Sequence, residues 1–319
     1  MAQEMLTVGG SFSLTLRESI NMRKYVLPLA LAASSVSVSV PAVAQQAAAT
    51  PPPPPVTGNM TIATDYRFRG ISQTYLGPTI QGGIDYAHSS GLYVGNWNSN
   101  VSGNTYFGGP GIEMDLYGGY KTAFGDFGVD VGAIYYYYGD ARATGATTTG
   151  AFTQEKYDNA ELYIAGSWKW LSLKYNYSLT NYFGFNDNVA RNFFSRTCAS
   201  GGACGAVPGK DFVTPSGDSK GTGYLDLTAN YEIVPKVTLV GHIGRLMMKN
   251  YGSFFNYTDY KIGATYDWTG WLLGAAIVGT NANKEWNYVA GAPFNTTTGV
   301  PKIESSGEPT IVLSVSKTF

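Results

Sequence analysis

Strict two-residue alternation runs through most of this chain. Stretches of about ten residues set apolar side chains against polar ones at every second position, the period of a strand with two unlike faces. Residues 111–122 place Ile112, Met114, Leu116 and Tyr120 opposite Glu113, Asp115, Tyr117 and Lys121. Residues 222–233 place Leu225, Leu227, Ala229 and Tyr231 opposite Asp226, Asn230 and Glu232. Strands are predicted over 59–70, 78–88, 91–100, 111–122, 127–139, 157–168, 171–182, 222–233, 237–246, 258–267, 271–280 and 309–319, twelve in all. Two of these are irregular. Residues 271–280 are apolar on both faces, and 91–100 ("GLYVGNWNSN") is ambiguous in phase.

A soluble sheet also alternates, so the environment has to be argued separately. Charged residues make up 13% of the chain, against about 25% in an ordinary soluble domain. Glycine (40) and tyrosine (24) are both abundant. After residue 44 no run of eighteen apolar residues appears, so no spanning helix is predicted. The connections alternate in length as well. Short ones are "HSSG" (88–91), "TAFGD" (122–126), "KW" (169–170), "VPK" (234–236) and "WTG" (268–270). Long ones span 71–77, 101–110, 140–156, 183–221, 247–257 and 281–308. Aromatic residues gather at both strand ends: Tyr86, Tyr120, Phe127, Trp168, Tyr231, Tyr266, Trp271 and Phe319 near the short turns, and Tyr66, Phe68, Tyr135, Tyr137 and Tyr177 toward the long loops. Together these features predict an all-β, transmembrane antiparallel barrel of outer-membrane type, with short turns toward the periplasm and two aromatic girdles. A secreted β-sandwich accounts for neither the girdles nor the alternating loops.

The first residues are consistent with export. From Met22, "MRKYVLPLALAASSVSVSVPAVAQQ" has a basic start, a short apolar region and a small-x-small site ending at Ala44. Residues 22–44 are predicted to be a cleaved signal peptide, too short and too broken by serine for a membrane anchor. Residues 1–21 carry Glu4, Arg17 and Glu18 and read as a misassigned extension ahead of the true start. A Pro- and Ala-rich periplasmic tether over 45–57 then leads into the barrel, 58–319. Cys198 and Cys204 enclose "ASGGA" in the longest connection. In an oxidising compartment they are expected to form a disulfide; no metal or other cofactor is expected.

The polar phase defines a predicted lumen. It is lined by Asp65, Arg67, Arg69, Asp85, Glu113, Asp115, Lys121, Asp130, Glu161, Lys174, Asp226, Glu232, His242, Asp259 and Lys261. Arginines on a lipid face would cost about 2–4 kcal/mol each near mid-bilayer, so "TDYRFRGISQ" (64–73) is assigned with Tyr66 and Phe68 to lipid. Acids outnumber bases on the inward list, which predicts a mild cation preference for anything that crosses. The 183–221 connection is long enough to fold inward, where Arg191, Arg196 or Lys210 could meet inward carboxylates.

The segment "TDYRFRGISQT", continued by "PTIQGGIDYAHSSGLYVGNWNSNV" and "IEMDLYGGYK" (112–121), resembles the opening of the TorF family of porin-like proteins of proteobacterial outer membranes. The similarity runs more weakly to Phe319. The five-proline tether and the cysteine-bearing 183–221 segment depart from it. The resemblance implies an outer-membrane porin-like barrel and leaves the substrate open.

Enzymatic readings find little support. His88 falls in a short turn, and in "GAVPGKD" the first glycine is misplaced and Asp211 stands where a phosphate loop has Ser/Thr. Phe319 closes a strand with Ile311, Leu313 and Val315 at alternate positions, a pattern resembling the signal read by the barrel assembly machinery. The reading is therefore a channel for passive diffusion of small hydrophilic solutes through a narrow polar lumen. Its expected partners are outer-membrane lipid and the assembly machinery; near-neutral net charge disfavours nucleic acid, and oligomeric state is left open. A plugged structural or adhesive barrel is the alternative, and a lipid hydrolase or acyltransferase a more distant one. In protein isolated from membranes, Cys198 and Cys204 should resist alkylation until reduced; ready labelling of both thiols without reductant would exclude the disulfide.

Overall fold

The computed structural model describes residues 55–103, 111–147, 149–192, 216–282 and 306–319. The proposed extension, signal peptide and nearly all of the tether, together with Cys198, Cys204, Arg196 and Lys210, lie outside the described residues.

The alternating segments form a closed twelve-stranded antiparallel barrel. In chain order its walls are β1 (Val56–Ala63), β4 (Thr79–Ala87), β5 (Leu92–Asn100), β6 (Ile112–Phe124), β7 (Phe127–Tyr137), β10 (Asn159–Trp168), β11 (Leu171–Ser178), β12 (Gly223–Val234), β13 (Val237–Met247), β14 (Tyr257–Trp268), β15 (Trp271–Thr280) and β16 (Thr310–Thr318). Two short hairpins sit outside that ladder. They are β2 (Arg67–Phe68) with β3 (Ile71–Ser72), and β8 (Arg142–Ala146) with β9 (Phe152–Lys156). Each wall strand pairs with its neighbour in sequence, and β1 meets β16 to close the ring. At that seam Ile62 lies opposite Val315 and Met60 opposite Lys317. Reciprocal backbone bonds between Gly58 and Phe319 (2.8 and 3.2 Å) finish it at the short-turn rim.

The faces follow the sequence pattern. Ile84, Leu116, Ile164, Ile262 and Ile311 point outward and are each more than half exposed. An outward belt so apolar is suited to lipid rather than water. Tyr86, Tyr120, Phe127, Trp168, Tyr231 and Tyr266 ring the short-turn rim. Lys317, on the outward phase there, lies 4.7 Å from the Trp271 ring and 5.8 Å from that of Phe319, so its charge snorkels among aromatics. The doubtful strand β5 turns Tyr93, Gly95, Trp97 and Ser99 inward and Leu92, Val94, Asn96, Asn98 and Asn100 outward.

One predicted strand is wrong. Residues 59–70 do not run as a single crossing: β1 ends at Ala63 and the chain turns into the barrel. Tyr66 and Phe68, assigned to lipid from their period, are 0% and 5% exposed inside the lumen. The period is genuine but belongs to a different packing. Tyr66 packs edge-on against Trp97 (5.5 Å between centroids), and Phe68 against Tyr136 and Phe183 (5.6 and 5.5 Å). The turn at Gly70, φ +79°, requires glycine: a methyl there would overlap Thr280 and Asp259 side-chain atoms.

The orientation of the two rims can be tested by labelling. In a background with both cysteines replaced, Thr147→Cys in the β8–β9 hairpin should react on whole cells with a membrane-impermeant reagent, whereas Ser90→Cys should not. The opposite result would invert the topology.

Candidate functional site

The long-loop half of the lumen is occupied by residues 64–77, which form an inward hairpin rather than wall. Its two arginines reach opposite sides of the barrel. Arg69 extends to β10, where two of its nitrogens bond the Glu161 carboxylate at 2.7 and 3.1 Å. The pair is buried, and it is not left alone. Glu161 also accepts from Asn159 (3.1 Å) and Ser178 (3.3 Å), and Arg69 donates to the Tyr182 hydroxyl (3.0 Å). The Arg69 guanidinium lies over the Tyr224 ring at 4.3 Å and near that of Phe68 at 4.8 Å. A planar, weakly hydrated guanidinium suits such a stacked, bidentate position.

Arg67 points toward the β15–β16 side. Its Nε pairs with Asp65, and its Nη1 donates to the carbonyls of Gly70 (3.1 Å), Ser306 (2.9 Å) and Glu308 (3.1 Å). Asp65 in turn accepts from the hydroxyls of Ser72 (2.6 Å) and Thr74 (3.0 Å). A run of buried backbone outside the barrel ladder is thus held in part by side chains that satisfy it.

Beneath this hairpin lies a polar chamber roofed by Arg67, Arg69 and Gly70. One wall, from β12, β13 and β14, carries Asp226, Thr228, His242, Asp259 and Lys261; the other, from β15 and β16, is small and mostly apolar, with Gly274, Ala276, Val312 and Ser314. His242 bridges two acids. Its Nε2 is 2.7 Å from Asp259 and its Nδ1 3.3 Å from Asp226. Asp259 also accepts from the Tyr224 hydroxyl, and Asp226 accepts from Thr228 at 2.7 Å. The hydroxyls of Thr228 and Tyr224 also lie 3.2 and 3.3 Å from the two ring nitrogens of His242, so the imidazole is shared between two acids and two hydroxyls.

The remaining inward residues are held mainly by tyrosines. Tyr117 donates to Asp85 (2.5 Å), Tyr93 to Asp130 (2.6 Å) and Tyr66 to Glu113 (3.2 Å). Lys174 sits over the Tyr163 ring at 4.0 Å and Lys121 over that of Tyr93 at 5.3 Å. Asp115 is buried beside Glu113 on the same face of β6. Glu232 corrects the predicted lining: it is exposed at the short-turn rim and caps the turn by accepting from the Lys236 amide at 2.9 Å. Arg191 is a second correction. It pairs with Asp187 (3.7 Å), on the same loop, rather than with a lumen carboxylate. That loop does fold inward over its first limb, where Tyr182, Phe185, Val189 and Ala190 are buried among the aromatics. Of the tyrosines that hold the acids, only Tyr117 is legible as a polar-phase position: Tyr93 lies in the stretch of ambiguous phase and Tyr66 on the phase assigned to lipid, and nothing in the spacing names their partners.

Replacing Glu161 with alanine would leave the Arg69 charge buried without its carboxylate. Breaking such a pair costs about 3–5 kcal/mol. Urea unfolding of vesicle-inserted protein should show a loss of that order for Glu161→Ala. A change below about 1 kcal/mol would be that of an exposed pair and would mean the pair is not holding the hairpin.

Comparison with known proteins gives a family and distant structural likenesses. No curated protein matches the chain. Among solved structures, the KdgM porin is 9% identical, covering 82% of this chain and 99% of that chain with a TM-score of 0.44. The NanC porin in a rhombohedral crystal form is 10% identical over 83% and 98%, with a TM-score of 0.41. A mutant Rh. blastica porin is 12% identical over 76% and 55%, with a TM-score of 0.33. Likenesses this distant carry no argument about what the chain does. The family model is a firmer match, spanning residues 46–319, and the chain belongs to that family, Gcw_chp, described as a bacterial protein of unknown function.

Proposed function

We propose that this chain is an outer-membrane channel for passive diffusion of small hydrophilic solutes, and that residues 64–77 close its lumen in this conformation. The observation that carries the reading is the charged chamber lined by Asp226, His242, Asp259 and Lys261, which ends against a roof built from Arg67, Arg69 and Gly70. A barrel serving only as a scaffold has no use for so much buried charge, since desolvating charge is costly. The roof is also separable from the wall. Strands β2 and β3 pair only with each other, over two residue pairs, so displacing them breaks none of the barrel ladder. The outward apolar belt and aromatic rim support a lipid setting. The resemblance of residues 64–121 to the TorF family supports the same reading. Phe319, exposed at the seam, would serve as the assembly signal.

One observation favours a second reading, a permanently plugged structural barrel. Tyr66, Phe68, Tyr136 and Tyr182 are all buried in one aromatic cluster across the long-loop half. Conductance separates the two. In planar bilayers the wild-type protein should show rare openings, and Arg69→Ala should raise their frequency by releasing the hairpin from β10 and Tyr224. Silence from both proteins, with the barrel folded, would establish the plugged reading. Open events should prefer cations mildly, the preference fading as salt shortens the screening length. A clear anion preference in reversal potentials would mean that the arginines, not the carboxylates, control passage.

A further inference from the structure

Strand β5 carries a polar stripe on the wrong face. Asn96 stands at the middle of Leu92–Asn100 and Asn98 two residues on, both on the outward phase with Leu92 and Val94. Their register partners on the flanking strands are Ile84 and Leu116 for Asn96, and Gly82 and Met114 for Asn98. Elsewhere around the described barrel, outward positions in mid-strand are aliphatic, aromatic or small, as at Val131, Ile164, Leu173, Leu227 and Ile262. Two amides facing hydrocarbon are costly unless something accepts and donates to them.

Their hydrogen bonding is not complete. Asn96 Nδ2 donates to the Asp115 carbonyl at 2.9 Å, and Asn98 Nδ2 donates to Asn96 Oδ1 at 2.6 Å and to the Gly82 carbonyl at 3.5 Å. Each amide nitrogen has two hydrogens. Asn96 therefore retains a donor, and Asn96 Oδ1 and Asn98 Oδ1 retain acceptor capacity, on side chains of the outward phase. Gly82 beside Asn98 lowers the surface next to the pair.

We propose that this patch is an interface with a second copy of the same chain, related by a two-fold axis along the membrane normal. An amide that keeps both a hydrogen and a lone pair is self-complementary. A two-fold along the membrane normal brings residues together at equal height, so Asn96 of each copy donates to Asn96 Oδ1 of the other, the reciprocal pattern of an isologous contact. Polar side chains of this kind hold protein surfaces together in lipid because hydrocarbon offers them no alternative partner. The interface lies on β5, while β13 is diametrically opposite in the strand order. The inference goes beyond channel activity and rests only on the barrel lying in a membrane.

Cysteine cross-linking in isolated outer membranes tests it, with both native cysteines replaced. Leu116→Cys, outward beside Asn96, should give a cross-linked dimer, and Ile243→Cys on β13 should not. Adding Asn96→Leu and Asn98→Leu to the Leu116→Cys protein should lower dimer yield about tenfold or more. Leucine is at home on a lipid face, and heat-modifiable migration on gels reports barrel folding independently. Equal yields at both sites, or no dimer from Leu116→Cys, would overturn the proposal. So would native mass spectrometry of the unmodified protein showing a monomer with retained lipid. Failure of the chain to fractionate with outer membranes would instead refute the membrane setting.

Discussion

Everything in this molecule depends on a constraint of the backbone. A strand surrounded by hydrocarbon has no water to satisfy its amides, so every strand must have two neighbours and the sheet must close on itself. The seam between β1 and β16 meets that demand, and it joins the two ends of the described chain at one rim. Closure then divides each strand into an outward and an inward face, and the two-residue period assigns nearly every side chain to one or the other. The polar interior is thus a consequence of the ring. Its use is a separate matter.

The interior is not uniform. The long-loop half is packed with aromatic rings and the 64–77 hairpin, whereas the chamber below is lined by charge on one wall and by small residues on the other. The boundary between them is drawn by two arginines with different tasks. Arg69 joins the hairpin to β10 through Glu161 and stacks on Tyr224, while Arg67 binds carbonyls near the start of β16. The hairpin is therefore fixed by side-chain polar contacts, one aromatic cluster and a few main-chain bonds, from the Thr64 and Ser72 amides to the Leu313 and Ser306 carbonyls and from the Ser102 amide to the Gln73 carbonyl, outside the barrel ladder. Displacing it would leave the barrel ladder intact, because β2 and β3 pair only with each other. That is the physical basis for reading the lumen as gated rather than solid.

The comparison between period and packing is instructive where it fails. In residues 64–70 the alternation of ring and charge is the same signal that marks a lipid-crossing strand. Both environments have one apolar and one polar side, and the period alone cannot tell lipid from a buried ring cluster. Strand β5 fails in the other direction: Asn96 and Asn98 share the outward phase with Leu92 and Val94, and two polar residues on an otherwise apolar face blur the alternation. Glu232 shows a third limit. It has the right phase for the lumen but lies at the short-turn end of β12, paired with Thr238 just before a register shift, where it caps the turn.

From sequence alone, the strand count, the antiparallel order, the rim with short turns and most inward charges were determined, because each follows from local period and connection length. Which acid meets which base, and which tyrosine holds which carboxylate, required the closed ring. Arg69 and Glu161 are ninety-two positions apart, and Tyr224 reaches Arg69 only because β12 curves round to face the hairpin. Those contacts arise from barrel closure, which brings distant strands across a common lumen. No pattern confined to neighbouring residues encodes that distance, so the folded ring alone decided where the chamber ends.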